Sequence, residues 1–117
     1  MEADTVRGHV DLMLLAIIKT GPTYGYALIQ DVRTISDNTV ALTEGTIYPA
    51  LRRLSAAGYL VMVPEAVGGR RRHLYRLTDR GRLHLQDQRR EWEQLIGAVN
   101  AVLDHSDAAA VRPSSES

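Results

Sequence analysis

The hydrophobic pattern changes its period partway along the chain, and this change limits the possible folds more than any other feature. Apolar residues recur at helical spacing up to Ala57, form short β-type runs between Tyr59 and Leu77, and return to helical spacing from Thr78. The β-type runs enclose Gly68-Gly69, a dipeptide that is typical of a hairpin turn. The sequence therefore predicts helices, one hairpin and a final helix.

Three helices are predicted before the hairpin. The first covers Val6 to Lys19 and stops at Gly21-Pro22, the second covers Tyr24 to about Ser36, and the third covers Thr43 to Ala57. Pro49 lies inside the third segment, where a proline has no backbone N–H to donate. Either the helix begins near Thr46, with Pro49 in its first turn, or it begins at Glu44 or Gly45 with irregular geometry at Pro49, and we favour the second. The first helix is apolar on almost all sides, which in so small a chain indicates a partner subunit.

The hairpin strands are predicted at Tyr59 to Pro64 and at His73 to Leu77, joined by a loop over Glu65 to Arg72. A long amphipathic helix follows from Thr78 to Leu103, and the Thr78 hydroxyl is suited to cap it. The residues from Asp104 onward are small and polar, as in a frayed tail.

The expected fold class is mainly α with a small β-hairpin. In a chain of 117 residues, three helices followed by a hairpin form a winged helix-turn-helix, in which the hairpin is the wing. The predicted domains are a winged helix-turn-helix over residues 1–77, a dimerisation helix over 78–104 and a disordered tail over 105–117.

Several functional classes are excluded by composition. The chain has no cysteine, so it has no disulfide and no thiol nucleophile. Its four histidines lack ligand spacing and no catalytic motif is visible, so we expect no metal, no cofactor and no enzymatic activity. The longest apolar run, Leu12 to Ile18, is too short to cross a membrane, and no signal peptide is visible. A cytoplasmic location is expected.

Charge is unevenly distributed although the net charge is zero. Residues 46–90 carry ten arginines and three carboxylates, a net +7, whereas residues 1–45 carry −3 and residues 91–117 carry −4. Thirteen of the fourteen basic residues are arginine, whose planar fork suits phosphates and guanine edges. The basic middle third indicates contact with nucleic acid; the alternative is a solvated surface strip.

The third helix carries the candidate base-reading side chains. When its apolar stripe faces inward, the residues left for the outer face are Thr46, Tyr48, Pro49, Arg52 and Arg53. Thr46 and Tyr48 lie nearest the helix N-terminus, the end that reaches base edges in such domains. The alternative is that the two arginines pair with Glu44 or Asp31, and that Tyr48 packs in the core.

The wing carries Arg70, Arg71 and Arg72 directly after Gly68-Gly69. Three consecutive arginines cannot all fold inward, because a buried unpaired guanidinium is costly. Release of counterions from DNA phosphates would use them. The alternative is a charged hairpin edge that prevents aggregation.

The last helix carries a broad apolar stripe that its own small domain cannot cover. We assign this stripe to a homodimer in which two copies pack around a two-fold axis, through Leu85, Trp92, Leu95, Ile96, Val99, Val102 and Leu103. Trp92 is the only tryptophan. It either packs within this interface or offers a stacking surface to a flat ligand.

Four segments together resemble the PadR family of transcriptional regulators. They are V-R-G-H-V-D-L-M-L-L-A-I-I at 6–18, G-P-T-Y-G-Y-A-L-I at 21–29, T-E-G-T-I-Y-P-A-L-R-R-L-S-A-A-G-Y-L at 43–60 and G-G-R-R-R-H-L-Y-R-L-T-D-R-G-R at 68–82. The resemblance covers most of the chain, from about Val6 to Leu103. It is closest to the small subtype with a single C-terminal helix.

This resemblance implies a homodimeric winged helix-turn-helix protein, usually a repressor. The family's recognition-helix motif falls on Gly45, Thr46, Tyr48, Pro49, Arg52 and Arg53. Its wing motif falls on Gly69, Arg70, Arg72, Tyr75 and Arg76. Tyr24 matches the start of the family's second helix, where it would reach phosphate. Arg71 stands where the family often has proline, which makes this wing more basic.

Some relatives that respond to drugs carry a tryptophan at the position of Trp92, in a cavity between subunits that takes up flat aromatic compounds. Here the resemblance implies a cavity formed by Trp92, Ile96, Leu12 and Asp11. We therefore expect a repressor that binds a pseudo-palindromic operator and is released by a small planar effector. The alternatives are a drug sensor whose dimer cavity dominates, and a winged-helix protein-interaction module without a DNA role.

Overall fold

The computed structural model describes residues 9–111, the last two by their backbone only. The described elements are, in chain order, α1 (Val10–Lys19), β1 (Thr23–Tyr24), α2 (Gly25–Ile35), α3 (Glu44–Ala56), β2 (Leu60–Val67), β3 (Arg70–Leu77) and α4 (Asp79–Val111). This order confirms the predicted fold class, a mainly helical chain with a small antiparallel sheet and a long last helix. The predicted first turn of α1, at residues 6–8, lies outside the described residues.

The described residues form two compact units, residues 9–86 and residues 87–111. The core of the first unit contains apolar side chains from each of its helices, chiefly Val10, Leu14, Leu15, Ile18, Leu28, Val32, Ile47, Leu51, Leu54, Leu60 and Leu85. The first unit is longer than the predicted domain of residues 1–77, because Leu85 in the first turns of α4 is buried in this core. The second unit is the remainder of α4.

The wing is longer and its turn tighter than predicted. Strands β2 and β3 pair antiparallel from Leu60↔Leu77 to Val67↔Arg70, which leaves only Gly68 and Gly69 in the turn. Both glycines have positive φ, +56° and +79°, as a two-residue turn of the favoured hairpin type requires. The residues expected in a loop over Glu65 to Arg72 are therefore mostly in strands.

A third strand, β1, was not predicted. It has only two residues, and they pair antiparallel with β3 as Thr23↔Tyr75 and Tyr24↔Leu74. The strand order is β1-β3-β2. Hydrogen bonds thereby connect the start of α2 directly to the wing.

Helix α3 begins at Glu44 and contains Pro49 without ending there, as expected. The N–H groups of Thr46 and Ile47 both donate to the carbonyl of Thr43, at 3.0 Å each, so the first turn is closed before the proline is reached. Gly58 then ends the helix with a φ of +84°.

Helix α4 begins where Thr78 caps it. The Thr78 hydroxyl accepts a hydrogen bond from the Gly81 N–H at 2.9 Å and donates one to the Gly58 carbonyl at 2.7 Å. The helix continues to Val111 rather than ending at Leu103, since the segment after Asp104 includes alanines, the strongest helix formers. The rest of the predicted tail, residues 112–117, lies outside the described part of the chain.

Candidate nucleic-acid interface

The residues predicted for the outer face of α3 differ in how far they are exposed to solvent. The helix buries Ile47, Ala50, Leu51 and Leu54 against the core. This leaves Gly45, Pro49 and Arg52 exposed and Thr46 half-buried, with the Thr46 hydroxyl 3.4 Å from that of Thr43. Among these four residues, only Arg52 and Thr46 carry side-chain hydrogen-bonding groups.

Tyr48 is half-buried and packs on the core rather than projecting fully outward. A Cβ placed on Gly25 would lie 3.0 Å from the Tyr48 Cε1 atom. The Tyr48 ring therefore occupies the space that glycine leaves at the start of α2. This partly matches the alternative considered from the sequence, in which Tyr48 packs in the core.

Arg53 is ion-paired with Asp11 of α1. The partner is neither Glu44 nor Asp31, the two carboxylates considered from sequence. The pair joins residues 42 positions apart in the chain. A residue assigned to the effector cavity, Asp11, thus contacts the helix assigned to base reading.

The Tyr24 side chain is hydrogen-bonded to the wing. Its hydroxyl donates to Glu65 Oε2 at 2.7 Å, and this hydrogen bond is the main reason that the pKa of Tyr24 is raised above its usual value. Its ring stacks on that of Tyr26, with centroids 5.6 Å apart. The expected phosphate contact by Tyr24 would have to compete with Glu65.

Sequence reasoning missed Tyr26 and Glu65. The Arg72 guanidinium lies over the Tyr26 ring, 4.6 Å from its centroid, and Arg72 is the cross-strand partner of Glu65. The signal available in the sequence was the position of Gly68-Gly69 between the two wing strands. A two-residue turn at Gly68-Gly69 would have placed Glu65 opposite Arg72, whereas the contact of Glu65 with Tyr24 depends on strand β1, which was not predicted.

The wing arginines differ in their environments. Arg70, Arg71 and Arg76 are exposed on β3, whereas Arg72 is half-buried. Tyr75, which the family motif placed in the wing, is buried in the core, and this burial raises its pKa. Tyr75 is therefore structural.

Ion pairs occupy part of the basic middle third. Arg89 pairs with Glu93 at 3.0 Å and Arg90 with Asp87 at 3.3 Å, both along α4. Among residues 9–109, the arginines that form no ion pair are Arg33, Arg52, Arg70, Arg71, Arg72, Arg76 and Arg80. Five of these seven lie on α3 and β3, and the other two are Arg33 on α2 and Arg80 on α4.

The residues predicted for the dimer interface fall into two groups. Leu85 is buried in the core of its own chain. In the second unit Trp92 is half-buried, while large apolar side chains remain exposed on α4 at Leu95, Ile96, Val99, Val102 and Leu103. Of the other residues predicted for the effector cavity, Leu12 packs beside the core of the first unit.

Two further features are absent from residues 9–111. Over this part of the chain, no helix is long and apolar enough to cross a membrane. Within the same residues, His, Asp and Glu side chains form no cluster able to hold a metal ion.

Comparison with known proteins identifies the family. The model of the transcriptional regulator PadR-like family matches residues 14–87. The transcriptional regulator Rv3488 of Mycobacterium tuberculosis is 35% identical over 100 residues, which is 86% of this chain and 91% of that protein.

Solved structures agree with this match. A transcriptional regulator from Clostridium thermocellum has a TM-score of 0.79 at 31% identity, covering 84% of this chain and 96% of its own. A PadR family transcription regulator from Clostridium difficile has a TM-score of 0.71 at 28% identity, covering 81% and 98%. The family match, the winged-helix fold and the basic face lead to one conclusion: the chain belongs to the PadR-like family of transcriptional regulators.

Proposed function

We propose that this regulator binds double-stranded DNA, with α3 in the major groove and the wing on the backbone, and that it acts as a repressor. The observation that carries the proposal is that five of the seven arginines without ion pairs among residues 9–109 lie on these two elements, Arg52 on α3 and Arg70, Arg71, Arg72 and Arg76 on β3. Arginines in such positions neutralise phosphates and grip guanine edges.

Within this interface, α3 supplies sequence preference and the wing supplies affinity. Thr46, near the helix N-terminus, is placed to contact a base edge, and Arg52 can take a bidentate grip on guanine. The wing arginines follow the phosphates, which carry no sequence information. Tyr48 acts mainly by fixing α3 against Gly25.

The DNA-binding form in this proposal is a homodimer on a pseudo-palindromic operator. Five large apolar side chains are exposed on the part of α4 that follows Asp87. A second apolar surface lies between α1 and α2, where Met13, Ile17 and Ile35 line a cavity. Exposed apolar surface of this extent is typical of an interface. Two-fold symmetry places the two α3 helices on half-sites about one DNA turn apart.

We further propose that a small planar effector binds the dimer beside Trp92 and Ile96 and releases the DNA. Such a ligand acts only through its different affinity for the two states of the dimer. Asp11, the acidic residue predicted for this cavity, is also the partner of Arg53 on α3. A ligand that draws Asp11 away would therefore change the charge presented to DNA.

The decisive experiment is a salt-titrated anisotropy assay. The probe is the DNA upstream of this protein's own gene, and the control is a scrambled duplex of equal length. We expect tight binding with a large ratio of specific to random affinity, and an affinity that falls steeply with salt. A lack of binding at low salt would favour the protein-interaction module.

A second assay addresses the drug-sensor alternative. Planar aromatic compounds are titrated while Trp92 fluorescence is recorded, in the presence and absence of DNA. We expect quenching that saturates, together with loss of the DNA complex. Quenching without any effect on the DNA complex would favour a sensor whose cavity dominates, and no quenching by any compound would remove the effector from the proposal.

A further inference from the structure

One residue, Tyr59, connects the end of α3 to the start of α4 through its backbone. It follows Gly58, which ends α3, and its N–H donates to the Leu54 carbonyl at 3.0 Å. Its own carbonyl accepts a hydrogen bond from the Thr78 N–H at 3.1 Å, directly before α4 begins. The Tyr59 backbone is therefore hydrogen-bonded to the last turn of α3 on one side and to the cap of α4 on the other.

The side chain of Tyr59 makes a second connection to α4. Its ring stacks on the His84 imidazole, with 3.9 Å between the ring centroids and 3° between the ring planes. The Arg80 guanidinium lies 5.5 Å from the centroid of the Tyr59 ring, within the range of a cation–π contact. Because Arg80 and His84 are four residues apart, they share one face of α4. Two successive turns of the helix thus contact a single ring.

The backbone of α4 approaches Tyr59 closely at the same place. A Cβ on Gly81 would lie 2.1 Å from the Tyr59 carbonyl oxygen, so only glycine allows this approach. Tyr59 itself is half-buried and packs against the core. All of these residues belong to the first compact unit, so the contacts are complete within one protomer.

The hydrogen bonds and the ring stack restrain α4 in different ways. The bonds from Thr78 lie at the very start of the helix, where a tilt moves atoms least. His84 is six residues further along, about 9 Å at 1.5 Å per residue, so a tilt would separate the two rings. The next residue, Leu85, is buried in the core, but apolar burial has no preferred direction. A parallel stack depends on the angle between its rings, so the stack restrains the angle of α4.

We propose that Tyr59 and His84 are positioning residues that set the angle between α3 and α4, and thereby the separation of half-sites that the dimer accepts. The inference rests on the proposed function, in which α3 reads DNA and the dimer contacts lie further along α4. That helix is continuous from Asp79 to Val111. The two α3 helices of a dimer would then be placed through two copies of the stack.

A change in half-site separation is large on the scale of this contact. One base pair moves a half-site by about 3.4 Å along the DNA and turns it by about 35°. A stacked ring pair can discriminate against a changed angle of α4 by about 2- to 10-fold. Neither ring is among the residues proposed to contact DNA. Loss of the stack should therefore relax the preference for one separation and leave the phosphate contacts unchanged.

The test measures affinity for a series of duplexes. Their two half-sites are taken from a footprint on the upstream DNA, and the separation is changed one base pair at a time. Tyr59→Leu and His84→Leu each remove the stack, whereas Tyr59→Phe keeps a ring in the same place. The control for a general loss of stability is Val40→Ala, which removes buried apolar volume elsewhere in the same core.

We expect the unmodified protein and Tyr59→Phe to prefer one separation. Both leucine variants should lose about 2- to 10-fold of that preference, with the salt slope unchanged. Val40→Ala should keep the preference although it is less stable. Full preference in both leucine variants overturns the proposal, as does an equal loss in Val40→Ala. If one leucine variant fails to fold, the other decides.

A second measurement needs no DNA. Since the chain has no cysteine, Glu44→Cys at the exposed first residue of α3 carries a spin label at one place in each protomer. Double electron–electron resonance gives the distance between the two labels of a dimer. We expect His84→Leu to shift or broaden this distance by at least about 3 Å, the rise of one base pair, and Tyr59→Phe to leave it unchanged.

The label distance separates this proposal from the proposed function. An identical distance distribution in His84→Leu and in the unmodified protein overturns the positioning role, even if duplex binds. If no duplex binds at any salt, the proposed function fails, and the label distance alone decides whether the stack positions α3. If no distance between labels is detected, the chain does not dimerise, and the proposal fails together with the dimer.

Discussion

The Asp11 carboxylate on α1 is ion-paired with the Arg53 guanidinium on α3. The Arg53 side chain is 59% exposed and that of Asp11 is 25% exposed. An ion pair this accessible contributes little to folding, on the order of 0.2–1 kcal/mol. Its larger consequence is electrostatic, because it neutralises one of the two arginines on the proposed recognition helix.

Removing the Asp11 charge should strengthen nonspecific DNA binding. In Asp11→Asn, Arg53 becomes available to a phosphate, so we expect the salt slope on random duplex to steepen by about 1. Anisotropy at several salt concentrations measures this. The matched control is Asp31→Asn, which makes the same charge change on α2. Equal steepening in both variants would show that net charge alone is responsible.

Close packing at Gly81 should make this position intolerant of alanine. A Cβ there would lie 2.1 Å from the Tyr59 carbonyl oxygen and 2.7 Å from Leu77 Cδ1. Because backbone has to move to relieve the contact, we expect Gly81→Ala to lower the free energy of unfolding by about 3 kcal/mol. Denaturant unfolding measures this loss.

Gly97 provides the control for that experiment. It also lies in α4, but a Cβ there would meet nothing within 4 Å. Gly97→Ala should raise stability by about 0.5–1 kcal/mol, since alanine favours the helix. A similar loss in both variants would contradict the role of the Tyr59 contact.

The wing arginines should act on DNA of any sequence. The double variant Arg70→Ala, Arg71→Ala removes two exposed cations, so we expect weaker binding to specific and random duplex and a salt slope reduced by about 2. The control is Arg89→Ala, Arg90→Ala, whose arginines are ion-paired along α4. An unchanged slope in the wing variant would remove these residues from the phosphate contacts.

A charge in the apolar face of α4 should prevent dimerisation. Val99 is 44% exposed within one protomer, and Val99→Asp would bury a carboxylate in the proposed interface. Burying this charge should weaken the free energy of dimerisation by at least about 2 kcal/mol, which raises the dimer dissociation constant about 30-fold. Sedimentation equilibrium measures this, with Asn100→Asp as the neighbouring control. A dimer that both variants leave intact would place the interface elsewhere.

Two tyrosines should ionise late in an alkaline titration. Hydrogen bonding to Glu65 raises the pKa of Tyr24, and burial raises the pKa of Tyr75, both from the usual 10.0. A raised pKa favours the neutral form, so its contribution to stability is present below pH 10 and is lost as pH rises through the folded value. Stability should therefore fall above pH 10.

Tyrosinate absorbance measures the two ionisations. Tyr24→Phe should remove one late ionisation, and Glu65→Gln should move it to lower pH, because the carboxylate charge that opposes ionisation is gone. If Glu65→Gln leaves the alkaline end of the titration curve as it is in the unmodified protein, the Tyr24–Glu65 contact is contradicted.

Local sequence signals were sufficient for much of the fold. The cap at Thr78 and the hairpin at Gly68-Gly69 each depend on a few neighbouring residues, so both could be predicted, although the turn is tighter than the predicted loop over Glu65 to Arg72. Pro49 was correctly placed inside α3. Strand β1 was missed because two residues are too few to show a period, and its pairing with β3 joins distant parts of the chain.

The contacts of the candidate interface were harder to predict. The exposed arginines on α3 and β3 could be identified, because consecutive charges cannot be buried. The Asp11–Arg53 pair could not, since any of several carboxylates could have reached Arg53. Tyr48 was uncertain for a similar reason: its packing depends on the absence of a side chain at Gly25, which lies on another helix.

The two-residue strand β1 has a mechanical consequence. Because its backbone is hydrogen-bonded to β3, the wing cannot hinge at its base without breaking its link to the start of α2. In the proposed complex each protomer therefore meets DNA with a fixed span between its groove-reading helix and its backbone contacts. The double helix must adjust to that span, so operators would be distinguished partly by how easily their grooves deform at bases the protein does not touch.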